Sequence, residues 1–94
     1  MSERNWSVEL SRSAVKGLAR LTSAEVSRIF NSLEALGVAE NPLRFKDVRP
    51  LEGKLDGFYR LRVGENRAIF ELDGKNKRIG VLAIVPRGKA YGRR

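Results

Sequence analysis

The sequence has no cysteine and no histidine, and only one methionine, one tryptophan and three prolines in 94 residues. Without cysteine there is no disulfide framework and no thiolate chemistry, which suits a reducing compartment and sets the expectation of a cytoplasmic protein. Without histidine the commonest general base and the commonest metal ligand are both missing. Ser–His and Cys–His nucleophile pairs are therefore excluded. No apolar run approaches the roughly 20 residues of a membrane span, and no signal-peptide pattern opens the chain, so no membrane partner is expected. Asp47, Glu52 and Asp56 match no calcium-loop spacing and read as solvated loop acids. Gly88 and Gly92 do not make a phosphate-cradling loop of known spacing. No metal and no cofactor is expected.

What is present is charge of one sign, unevenly placed. At 41% hydrophobic and 32% charged, the composition is that of a folded chain, expected to form a single domain over 1–94. The net charge is +8. Residues 1–43 carry five Lys/Arg and five Asp/Glu, whereas residues 44–94 carry fourteen and six, so the whole excess lies in the second half. That asymmetry points to a polyanionic partner: nucleic acid, an acidic protein or an anionic surface.

Patterning gives the elements. Asn5–Leu10 alternates, with Trp6, Val8 and Leu10 on one side, as a half-buried strand does. Ser11 or Ser13 can cap a short helix expected over about Ser13–Arg20. Thr22-Ser23-Ala24-Glu25 is a capping box, and Val26, Ile29, Phe30, Leu33 and Leu36 follow at helical spacing. Gly37 is expected to close that helix in a left-handed conformation. Pro42 opens an irregular stretch to about Gly53, punctuated by Lys46, Arg49 and Lys54. Three strands follow: Phe58–Val63, Arg67–Leu72 and the apolar Arg78–Val85, the last read as an inner strand. Pro86 stops its ladder. The predicted fold is α+β, of order β-α-α-β-β-β, with a helical hairpin on one face of a mainly antiparallel sheet.

The chemistry is expected on the other face. In the first of these strands Arg60 and Arg62 project together, opposite Tyr59, Leu61 and Val63. Arg67 opens the next strand, close to Arg62 across the hairpin, and Arg87 leaves the last strand just beyond Pro86. Like charges gathered this way repel unless an anion neutralises them. Guanidinium suits phosphate, because its planar fork donates two hydrogen bonds and stays charged. Tyr91 adds an aromatic plane on which an unpaired base can stack. Lys46, Arg49, Lys54, Lys89, Arg93 and Arg94 are the candidate RNA-backbone contacts around this core.

The run Leu51-x-Gly53, Tyr59-Arg60-Leu61-Arg62-Val63-Gly64, x-x-Arg67-x-Ile69-Phe70 and Val81-Leu82-x-Ile84-x-x-Arg87-x-x-x-Tyr91 resembles the RelE/ParE superfamily of type II toxin–antitoxin toxins. The ending Pro86–Tyr91 is most similar to the archaeal-type RelE branch. The resemblance implies a metal-independent endoribonuclease that enters the 30S A site, beside 16S rRNA, and cuts the exposed mRNA codon. The 2′-hydroxyl attacks the adjacent phosphate, leaving a 2′,3′-cyclic phosphate and a 5′-hydroxyl. It further implies a RelB-like antitoxin that folds over the basic surface. Catalytic positions carried over are Arg60, Arg62, Arg67, Arg87 and Tyr91. The strand pair at 60 and 62 is lysine in well-studied relatives, and arginine, unlike lysine, does not act as a base. The proton acceptor is then Tyr91, a lysine such as Lys54 or Lys89, a ribosomal group, or none. Two other readings stay open: a ParE-like inhibitor of DNA gyrase, and a non-catalytic RNA- or ribosome-binding module.

Overall fold

The structure is a computed structural model that describes residues 5–86. Strand β1 (Ser7–Leu10) leads into helices α1 (Arg12–Leu18) and α2 (Ser23–Val38). After a 3-10 turn at Pro42–Arg44 come β2 (Val48–Pro50), a second 3-10 turn at Gly53–Leu55, β3 (Tyr59–Val63), β4 (Asn66–Asp73) and β5 (Arg78–Pro86). The five strands form one sheet in the order β1-β5-β4-β3-β2. Only β1 and β5 run parallel. The α+β class, the element order and the inner position of β5 are as the sequence predicts; β2 is added to them.

The helices form where side chains satisfy their first amides. Ser11, not Ser13, caps α1: its hydroxyl accepts from the Ala14 amide at 3.0 Å and donates to the Leu82 carbonyl at 2.6 Å. The helix therefore starts and ends earlier than expected. Thr22 and Glu25 close the predicted capping box of α2 through bonds of 3.2 and 3.0 Å. Gly37 does not terminate α2. It stays helical, and its carbonyl takes the amides of Asn5 and Trp6, each at 2.9 Å, so the incoming β1 segment satisfies a helix end that needs no left-handed cap.

Ala14 and Leu18 from α1, with Ile29, Leu33 and Leu36 from α2, pack on Leu61, Val63, Ala68, Phe70, Ile79, Val81 and Ile84 of the sheet. Phe30, one position off the Ile29–Leu33–Leu36 row, remains 47% exposed instead of joining the stripe. Gly17 lets α1 lie close on β5, since a Cβ there would stand 2.5 Å from the Ile84 carbonyl oxygen. The β4–β5 ladder slips between Ile69 and Phe70, which leaves Leu82 as an extra residue and allows Val81 and Ile84 both to face the core.

Candidate anion-binding face

The face of the sheet without helices holds the arginines. Alternation sends Leu61 and Val63 into the core and Arg60 and Arg62 the other way. A two-residue loop, Gly64-Glu65, joins β3 to β4, with Gly64 at a φ of 59°. That loop fixes the register so that Arg62 lies directly opposite Arg67. On the other side β2 sets Arg49 directly opposite Arg60. Two like-charged cross-strand pairs thus stand side by side, an arrangement that costs stability until an anion binds. Ile69 on β4 flanks Arg60, and Val85 on β5 flanks Arg67.

An open groove runs from this row over the edge of β2, lined by Arg44, Lys46, Asp47, Arg49, Arg60 and Arg62 among others. Of the predicted RNA contacts, Lys46 and Arg49 belong to it. Lys54 does not: it sits exposed on the second 3-10 turn, beyond the Tyr59 end of β3. Arg87, Lys89, Tyr91, Arg93 and Arg94 lie outside the described residues.

Three side chains have roles that sequence reasoning missed. Asp47 is no simple solvated acid. Its carboxylate pairs with the Arg62 guanidinium at 3.4 Å, and its carbonyl accepts from Arg60 Nη1 at 3.2 Å. Asn66, expected in the hairpin loop, instead opens β4 as a buried polar residue and donates to Glu25 Oε2 at 3.4 Å. Arg28, exposed on α2, reaches the hairpin: its Nη1 lies 3.2 Å from where a Cβ on Gly64 would be. No local signal announces such long-range contacts, although the left-handed tolerance of Asp is a hint at Asp47.

The far half of the same face is electrically different. Glu9 on β1 and Glu71 on β4 flank Gly80, and Arg78 is held by Asp73 at 3.0 Å and Glu9 at 3.9 Å. Among the described residues the basic surface of this face thus lies on β2, β3, the start of β4 and the segment leading into β2. The arginines remain cationic at any physiological pH, so they can bind and stabilise negative charge but cannot take a proton. Among the described residues no group of three or more His, Cys, Asp or Glu is placed to hold a metal, and no helix is long and apolar enough to cross a membrane.

Comparison with known proteins bears on this face. The family model for the ParE toxin of type II toxin–antitoxin systems matches residues 8–91. The chain belongs to that family. The RelE of an archaeal RelE–RelB complex from Pyrococcus horikoshii is similar at 32% identity, with a TM-score of 0.74 over 92% of this chain and 99% of that one. The RelBE2 toxin–antitoxin complex of Mycobacterium tuberculosis gives a TM-score of 0.78 at 21% identity, covering 89% and 93%. A YoeB/ParE toxin from Agrobacterium tumefaciens gives 0.71 at 17%, covering 86% and 98%. At those last two identities the likeness concerns the fold alone. A search of curated proteins found no match. The chain is a type II toxin of the RelE/ParE superfamily.

Proposed function

We propose that this toxin is an endoribonuclease that cuts mRNA in the ribosomal A site and so stops translation. The observation that carries the reading is the row Arg49–Arg60 and Arg62–Arg67 on a face left open by the helices. In the reaction the 2′-oxygen forms a bond to phosphorus and gives up its proton. The bond from phosphorus to the 5′-oxygen breaks, and that oxygen gains a proton. Negative charge builds on the phosphorane between these events, and guanidiniums already in place there lower the barrier. Arg60, Arg62 and Arg67 take that role, while Arg87 holds the phosphate and Tyr91 stacks on or orients a base. Since arginine does not accept the 2′-proton, catalysis rests chiefly on positioning and charge stabilisation.

An antitoxin partner is part of the same reading, supported by relatives whose structures are toxin–antitoxin complexes. An acidic or amphipathic segment laid over the basic face would neutralise it.

Primer extension on mRNA translated in vitro tests the reading. Cuts phased within codons, dependent on ribosomes and about 100-fold weaker with Arg62→Ala, are expected. Absence of cuts from folded wild-type protein overturns it. The ParE family match favours one second reading, inhibition of DNA gyrase. Loss of gyrase supercoiling without RNA cleavage would establish that reading instead.

A further inference from the structure

Among the described residues that line the basic groove, Asp47 is the only acid. An acid there subtracts charge from a surface built to hold an anion, so its presence calls for a compensating gain. Its backbone has a φ of 70°, in the left-handed region that non-glycine residues seldom occupy. Asp tolerates this better than most. In that conformation its carbonyl accepts the Arg62 amide at 3.1 Å and Arg60 Nη1 at 3.2 Å. Its carboxylate meets Arg62 Nη2 at 3.4 Å. One residue therefore engages both basic side chains of β3, one through its main chain and the other through its carboxylate. The gain is not stability: side chains 53% and 34% exposed make a solvent-screened ion pair, which contributes little.

We propose that Asp47 is a positioning residue that sets Arg60 and Arg62 in their working orientation before the phosphate arrives. This rests on the nuclease reading above. Each guanidinium presents several N–H donors, and Asp47 engages one on each. Two long side chains that would otherwise sample many rotamers are thereby pre-arranged, and binding does not have to order them. The left-handed backbone is the cost of turning the Asp47 carbonyl toward β3.

The main-chain and side-chain contacts can be separated. Asp47→Gly keeps the backbone conformation, and with it the carbonyl contact to Arg60, while removing the carboxylate from Arg62. The expected result is equal or tighter RNA binding, because an acid is gone, with a maximal cleavage rate about 10-fold to 100-fold lower. Asp47→Asn, which retains an acceptor and tolerates the same backbone, should recover most of that rate. Binding and cleavage that rise together in both variants would make Asp47 a mere electrostatic brake and overturn the proposal. Equal cleavage by wild type and Asp47→Gly would overturn it too, while leaving the nuclease reading intact.

A second readout does not depend on cleavage. In 15N spectra of free protein, the Arg62 Nε–Hε signal should shift in Asp47→Gly while that of Arg67 stays in place. If wild type cuts nothing yet this shift occurs, the nuclease reading fails and the positioning contact stands. An unmoved Arg62 signal overturns the contact itself.

Discussion

Strands β3 and β4 present opposite chemistries to their two sides. Toward the helices they show Leu61, Val63, Ala68 and Phe70, each at most 8% exposed. Away from the helices, the alternate residues include Arg60, Arg62 and Arg67, beside a buried Ile69. A shift of one residue along the chain separates a side chain that holds the fold together from one that strains it, because the pleat alternates. The covered face gains free energy by removing apolar area from water. The open face places cations opposite one another and recovers that cost only when an anion binds. Stability and function are thus divided between the two sides of the same strands, and substitutions should affect one without the other.

The largest effect belongs to the covered side. Phe70 is fully buried at the centre of the sheet, with its ring 5.7 Å from that of Tyr59. Phe70→Ala should cost about 3–5 kcal/mol, from lost burial and the cavity left behind. Urea unfolding measures this directly. A loss under about 1 kcal/mol would mean that this side is not the one that carries the fold.

On the open side the sign should reverse. Arg67 is half-buried, stands opposite Arg62, and among the described residues its buried Nη1 has no hydrogen-bond partner. Burying such a donor is costly, and a neighbouring like charge adds to the cost. Arg67→Met keeps the aliphatic stem and removes both penalties. We expect unchanged or higher thermal stability together with roughly 100-fold weaker cleavage in the translation assay. A variant that lost stability and activity in proportion would break the division between the faces.

How far the sequence reveals this division depends on how local each cause is. The capping box at Thr22–Glu25, the stripe Ile29–Leu33–Leu36 and the alternation Arg60–Leu61–Arg62 are each contained within a few residues, and all were legible. So was the nearness of Arg62 to Arg67 across the closed end of the hairpin, although the loop has two residues and not the three expected over Gly64–Asn66. Strand β2 was not: three residues ending in Pro50 are too few to show alternation, and proline argues against a strand except at an edge. The Arg49–Arg60 pair was hidden along with it. Asp47 read as an ordinary loop acid because its partners lie 13 and 15 positions away. Gly37 carried a true helix-stop signal, which the docking of Asn5 and Trp6 onto its carbonyl overrode.

The smallest expected effect tests where the two faces meet, at the closed end of the β3–β4 hairpin. Glu25 there caps α2 and also accepts from Asn66, the residue that opens β4 just ahead of Arg67. The Thr22 amide holds the Glu25 carboxyl below its ordinary range against the opposing effect of burial, with further help from the Asn66 and Thr22 side chains and from Arg28. A carboxyl depressed in the folded state contributes stability that is complete above its unfolded value and is lost as pH falls through the folded one. Unfolding midpoints should therefore hold from pH 7 to about 5 and decline below about 4. Glu25→Gln should flatten that decline while changing little at neutral pH, since Gln also serves in a capping box. Asp73, lowered chiefly by hydrogen bonds from Asn76, has the same sign and should account for acid sensitivity that remains in the variant. Identical slopes in wild type and Glu25→Gln would mean that the capping carboxylate does not couple α2 to the hairpin. The open face would then take its geometry from the sheet alone.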